Sequence, residues 1–208
     1  MPHLLELFKG TGSVGNVFRE HGWTVTSVDL DSAFEPDVCC NVIDLTKEMI
    51  SQKPDLIWAS PPCTHYSRAR TTAKTPRDLE GSDKLVSKVF EIISWYDCLY
   101  FIENPMGMLR HRPMMTGITR QTVDYCQYAD QRFPRYYRKR TDIWTNTEWT
   151  PSTSLCNKQC PGCDHTGKHT LYAQRVPTGE RRGNALQELY AIPPRLIEDM
   201  ARYMTTTE

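Results

Sequence analysis

The first sixty residues alternate short apolar runs with turn signals at an interval that suits a layered α/β fold. Residues 3–8 (HLLELF) read as a buried strand. Gly10-Thr11-Gly12-Ser13-Val14-Gly15 follows as a glycine-rich turn that opens a short helix to about His21. Residues 23–29 (WTVTSVD) alternate as a second strand, 38–44 predict a third, and 55–59 (DLIWA) a fourth that stops at Ser60-Pro61-Pro62-Cys63. Strands spaced by helices in this way indicate βαβ units around a parallel sheet. Further on, Leu85, Val86, Val89, Phe90, Ile93 and Tyr96 recur at helical spacing within 82–97. Residues 98–103 (CLYFIE) predict a fifth strand, stopped by Asn104-Pro105. A sixth strand is expected near 119–126, a β-rich segment at 135–146, and a closing helix opened by Pro193-Pro194.

The 208 residues suit one domain. Residues 1–146 and 184–208 read as its body, and 147–183, which lack periodicity, as a short insert. Charge is unevenly spread: residues 1–62 hold four basic and nine acidic residues, the remainder 21 and 16. The basic remainder suits an anionic partner. No run approaches the roughly 18 apolar residues of a membrane helix, and MPHLLELFKG lacks a signal-peptide layout. A cytoplasmic protein is expected, with the nucleus left open. In that setting eight cysteines argue for reactive or metal-bound thiols over a disulfide framework. Cys98 and Cys126, in apolar surroundings, read as small packed hydrophobes.

In a doubly wound sheet, ligands bind beyond the carboxyl ends of the strands. Four groups fall at such ends: the glycine turn, Asp29, Cys63 and Glu103. Gly10 and Gly12 let the backbone approach a ligand closely, and Asp29 suits a ribose hydroxyl pair. Two prolines stiffen the turn before Cys63, and His65, Arg68 and Arg70 nearby would favour its thiolate. Glu103 closes an apolar strand, where desolvation raises a carboxyl pKa and lets it hold a proton near neutrality.

Together these segments resemble the AdoMet-dependent cytosine-C5 methyltransferases. LELFKGTGSVG is similar to their cofactor loop, VDLD to the ribose-binding segment, DLIWASPPCTHYS to the nucleophile loop and FIENP to the Glu-Asn motif. RYYRKRTDIW looks like the Arg-x-Arg strand and AIPPRLIEDM like the closing helix. The resemblance implies a Rossmann-like methyltransferase sheet that binds S-adenosyl-L-methionine. It implies that Cys63 adds to C6 of a flipped-out cytosine, that Glu103 holds the N3/N4 edge, and that Arg138 and Arg140 anchor base and phosphate. Phe8, Gly10, Gly12, Asp29, Leu30, Asp44 and Pro62 would then contact the cofactor. In a strand Arg138 and Arg140 share one face, which would aim both into the pocket and Lys139 away from it.

The chain also departs from that pattern. Tyr136 stands where the family has Gln, Pro105 follows Glu-Asn in place of Val, and Leu189-Tyr190 precede the closing helix in place of Gly-Asn. The recognition region spans only about 40 residues, which predicts a target of about two to four base pairs and leaves room for a partner subunit. That region holds Cys156, Cys160 and Cys163, then His165 and His169. Three thiols and an imidazole at this spacing can close a structural Zn²⁺ site, and His169 leaves more slack than His165. The metal would replace a core that the insert cannot build. Lys158, Lys168, Arg175, Arg181 and Arg182 surround the cluster, and Arg132, Arg135, Arg138, Lys139 and Arg140 interleave with Phe133, Tyr136 and Tyr137, a pattern suited to phosphates. The expected substrate is DNA, with RNA as an alternative. An amino-methyltransferase, which needs no nucleophile, and a silent AdoMet- or DNA-binding subunit are the competing readings.

Overall fold

The computed structural model describes residues 1–68, 70, 73–133, 136–171 and 190–206. Its strands are β1 (His3–Leu7), β2 (Thr24–Asp29), β3 (Val38–Cys39), β4 (Leu56–Ala59), β5 (Leu99–Pro105), β6 (Arg120–Asp124) and β7 (Arg140–Thr145). They form one sheet in the order β3-β2-β1-β4-β5-β7-β6. Among the described residues three helices pack on it: α1 (Ser13–Glu20), α2 (Leu79–Tyr96) and α3 (Pro194–Thr206).

Strands β1 to β5 pair in parallel, but β7 runs antiparallel to both β5 and β6. The parallel part is the one that the βαβ pattern of the early residues predicts, and the strands of the later β-rich stretch join it through antiparallel pairs. A parallel return needs a crossover along a sheet face. Between β6 and β7 the described residues carry only a single 3-10 turn, Tyr125–Gln127, so the chain doubles back. The third strand is also shorter than 38–44. After Cys39 the Asn41 side chain accepts the Ile43 N–H at 3.1 Å, and this cap turns the chain into a 3-10 turn at Val42–Asp44.

Side-chain alternation divides the core between the two faces. Leu4, Leu56, Trp58, Phe101 and Ile143 pack under α1 and α3, against Val17, Phe18, Leu196, Ile197 and Met200. Leu5, Leu7, Ile57, Ala59, Ile102 and Trp144 face α2, against Val86, Val89, Ile92 and Ile93. Each fully buried large apolar side chain contributes about 1.5–3 kcal/mol, so both faces hold the sheet rigidly beneath its loops. Asp78 caps α2 by accepting the Gly81 N–H at 2.8 Å.

The chain leaves β1 toward β2 on one side and later returns to β4 on the other. The strand order therefore reverses between β1 and β4, and a crevice opens beyond their carboxyl ends.

Candidate active site

That crevice holds a cavity of about 270 Å³. It is lined from β1 and its loop by Glu6, Phe8, Gly10 and Thr11, from the loop after β4 by Pro61, Pro62 and Cys63, and from β5 by Glu103. Lys139, Tyr190 and Ile192 complete its wall. Residues 40 apart in sequence, Cys63 and Glu103, thus face one space.

Local bonds explain why the loops keep this shape. Gly12 ends the β1 loop at φ 70°, a left-handed conformation that glycine adopts without steric cost, and starts α1 there. Gly15 lies against the buried Glu6, and a Cβ there would come within 2.5 Å of Glu6 Oε2. The Gly15 N–H donates to Glu6 Oε1 at 3.2 Å, while Oε2 has no hydrogen-bond partner among the described residues. Burial pushes the Glu6 carboxyl up to about 7.

The Pro61–Cys63 loop is fastened to the next strand. Asn104 Nδ2, fully buried, donates to the Pro61 carbonyl at 2.8 Å. Tyr66 is also fully buried, and its hydroxyl donates to Asp83 of α2 at 2.7 Å. Its carbonyl accepts the Met108 N–H at 2.8 Å, and its N–H donates to the Cys63 carbonyl at 3.0 Å. Tyr66 therefore ties the Cys63 turn to both α2 and the segment after β5.

Glu103 accepts a hydrogen bond from the buried Tyr125 hydroxyl at 2.9 Å. Burial raises its pKa, against the opposing pull of Lys139, Tyr125 and Ser60. Burial and the nearby Glu103 charge push the Cys63 thiol up, and Lys139 pulls it down. Two of the basic residues after Cys63 are engaged elsewhere: His65 Nδ1 accepts the Asp78 N–H at 2.8 Å, and Arg70 donates to Thr75 Oγ1 at 2.6 Å.

The expected orientation of the basic strand is reversed. Lys139 lines the cavity, and Arg138 and Arg140 do not. Strand β7 begins only at Arg140, so strict alternation does not reach back to residue 138. Arg140 instead makes a two-pronged bond to Asp124. Among the residues expected at the cofactor, Phe8, Gly10 and Pro62 line the cavity. Asp29 lies behind the loop, accepting the Gly10 N–H at 2.8 Å. Gly12 opens α1, Leu30 is exposed, and Asp44 ends the turn after β3; none of these three lines the cavity. Tyr125 lies in no motif, and Lys139, inside the Arg-x-Arg segment, was expected to point away from the pocket; the β6–β7 reversal is what sets Tyr125 beside Glu103 and Lys139 beside Tyr125.

No family model matches the chain. A full-length relative does: a probable DNA (cytosine-5)-methyltransferase of Frog virus 3 (isolate Goorha) is 32% identical over 95% of this chain and 97% of that protein. The chain belongs to the DNA (cytosine-5)-methyltransferase family. Solved methyltransferase structures share its fold at low identity. The Entamoeba histolytica methyltransferase EhMeth superposes with TM-score 0.52 and 14% identity, covering 75% of this chain and 58% of that one. A DNA modification methyltransferase encoded within an E. coli prophage gives 0.51 and 15%, covering 70% and 46%. The chain thus spans about half the length of these solved structures. S-adenosyl-L-methionine is the cofactor that membership in a methyltransferase family implies.

This methyltransferase also carries a thiol–imidazole group behind β6. Ligand atoms of Cys126, Cys156, Cys160 and His169 all lie within 4.8 Å of one another. His169 Nε2 is 3.3 Å from Cys160 Sγ and 3.8 Å from Cys156 Sγ. Cys163 Sγ is 3.6 Å from Cys160 Sγ, and sits 3.6 and 3.8 Å from the two nitrogens of His169. It lies as near Nε2 as Cys156 does but nearer still to Nδ1, and so flanks the ring outside the four-residue group. His165 is exposed and outside the group. Cys126, expected to be a packed hydrophobe, joins the group because the turn after β6 carries it there. Its burial and then its neighbouring thiols push it well up, and Cys163 rises to about 11. Arg135, Arg175, Arg181, Arg182 and Leu189 lie outside the described residues. No described helix is long and apolar enough to cross a membrane.

Proposed function

We propose that this chain methylates C5 of cytosine in DNA, with Cys63 as a covalent nucleophile. The observation that carries the reading is one cavity at the β1/β4 switch point lined by both Cys63 and Glu103. An amino-methyltransferase needs neither group.

The Cys63 thiol gives its proton to solvent, and the sulfur forms a bond to C6. The C5–C6 π pair moves to C5, and protonated Glu103 donates to N3, so that the ring stays near neutral and C5 becomes nucleophilic. S-adenosyl-L-methionine, when bound, supplies an electrophilic methyl group on a sulfonium. Water then removes the C5 proton, the C5–C6 double bond re-forms, the C6–S bond breaks, and Glu103 recovers its proton. A base stacked in a duplex cannot reach Cys63, so it must flip out at a cost of a few kcal/mol.

The residues suit that cofactor. Glu6 presents a buried carboxyl oxygen without a partner among the described residues to a cavity that would take a cationic molecule. Phe8, Gly10, Thr11 and Pro62 would hold it. Residues 1–146 and 184–208 would form the catalytic body, and 147–183 the recognition insert.

The thiol–imidazole group is read as a structural zinc site. Tetrahedral zinc sets its S and N ligands about 3.5–3.8 Å apart, and the contacts of His169 Nε2 to Cys156 and Cys160 span 3.3–3.8 Å. Cys126, Cys156, Cys160 and His169 would be the ligands. Cys163, the ligand expected from spacing, would stand beside them.

The test is mass spectrometry of nucleosides from duplex DNA incubated with the protein and S-adenosyl-L-methionine. Appearance of 5-methylcytosine, lost in Cys63→Ser, supports the reading. N4-methylcytosine or N6-methyladenine, or full activity in Cys63→Ser, overturns it.

A further inference from the structure

We propose that Lys139 is a further catalytic residue, the cation that favours the Cys63 thiolate and meets the negative charge that builds on the base. This rests on the reading of Cys63 as nucleophile. Among the described residues, the ionisable groups lining the cavity are Glu6, Lys9, Cys63, Glu103, Lys139 and Tyr190. Of the two cations, Lys9 is held on the β2 side, its ammonium donating to the carbonyls of Phe34 and Glu35 at 2.7 and 2.6 Å. Lys139 stands on the catalytic side. Its Nζ is 4.7 Å from the centroid of the Tyr125 ring, whose hydroxyl is bonded to Glu103.

Backbone bonds fix it there. The Lys139 N–H donates to the Tyr137 carbonyl at 2.9 Å, and its own carbonyl accepts the Tyr125 N–H at 3.2 Å. The ammonium favours the Cys63 thiolate from within the shared cavity, while burial outweighs its pull on Glu103 and keeps that carboxyl raised. As sulfur adds to C6, the negative charge of the thiolate passes onto the pyrimidine within the same cavity, so one fixed cation serves both ends of the step. Lys139 forms no bond and transfers no proton. An arginine would present a planar fork, whereas an ammonium is a compact point charge that needs no particular plane of approach.

Alkylation separates this role from the methylation reaction. The rate of carbamidomethylation of Cys63 by iodoacetamide, in which sulfur displaces iodide, is followed from pH 6 to 10 by mass spectrometry of the Cys63 peptide. Lys139→Gln is expected to move the profile to higher pH and slow alkylation near pH 7.5 about tenfold, the effect of one pKa unit. Lys139→Arg, which keeps the charge, is expected to restore the profile and report that the chain still folds. A Lys139→Gln profile superimposed on the parent's overturns the inference, even if methylation falls. Loss of the nucleophile assignment would show separately, as activity retained in Cys63→Ser.

Discussion

The carboxylate of Asp124 accepts two parallel hydrogen bonds from the Arg140 guanidinium, from Nε at 2.9 Å and from Nη2 at 2.7 Å. The same Oδ2 accepts the Cys156 N–H at 2.9 Å. Asp124 closes β6, and Cys126 follows two residues later. One buried carboxylate therefore joins the first residue of β7 to the backbone of Cys156, and it is next in sequence to Tyr125, whose hydroxyl is bonded to Glu103.

Asp124→Asn tests that junction. The amide cannot accept both prongs of the guanidinium, and a neutral acceptor weakens what remains. The Arg140 side chain is 39% exposed, so solvent screening reduces the loss to about 1–2 kcal/mol. We expect a lower Tm and faster transfer of zinc to a chromophoric chelator. Unchanged Tm and unchanged zinc transfer would mean that Asp124 does not brace the group.

Zinc itself is open to direct measurement. Protein purified without chelator is expected to carry about one equivalent by metal analysis, as a closed four-ligand site requires. Stripping the metal should weaken DNA binding before it affects S-adenosyl-L-methionine binding, because Cys156, Cys160 and His169 lie in the proposed recognition insert and Phe8, Gly10 and Pro62 lie in the loops after β1 and β4. Cys126→Ser should lower zinc content more than Cys163→Ser, since Cys163 flanks the His169 ring. Equal loss in both, or greater loss in Cys163→Ser, would return the fourth position to Cys163.

The path from sequence to this site was uneven for physical reasons. Buried parallel strands such as Leu4–Leu7 and Leu56–Ala59 are near-continuous apolar runs, and β1, β2, β4 and β5 fall within a residue or two of their expected ranges. Motif residues at their carboxyl ends, Cys63 and Glu103, meet because topology carries strand ends to one crevice. Lys139 faces the cavity, and the buried Cys126 lies beside Cys156, Cys160 and His169, because their surroundings depend on how the chain turns between β6 and β7. A short chain reversal leaves no periodic signal, and the side chain that enters the cavity follows from where strand pairing starts, at Arg140 and not earlier. Asp29 shows a different limit: its type and place were legible, but not that its carboxylate would hold the Gly10 N–H.

Glu6 makes stability depend on pH in a predictable direction. Its carboxyl, 1% exposed, is pushed by burial from 4.5 to about 7. Below 4.5 it is neutral in both folded and unfolded chains. Between 4.5 and 7 the unfolded chain gives up the proton while the folded one keeps it, so stability contributed by the neutral form is lost as pH rises through about 7. The shift corresponds to about 3 kcal/mol. Glu6→Gln has no proton to lose, and its Oε1 can still accept the Gly15 N–H that Glu6 now accepts. Thermal melts of the two proteins at pH 5 and pH 8 give the comparison. The Tm difference should move in favour of Glu6→Gln by several degrees between those values, as expected for a few kcal/mol in a domain of this size. Parallel Tm curves would mean that the folded protein does not hold the Glu6 proton, and that the buried carboxylate finds compensation within the cavity.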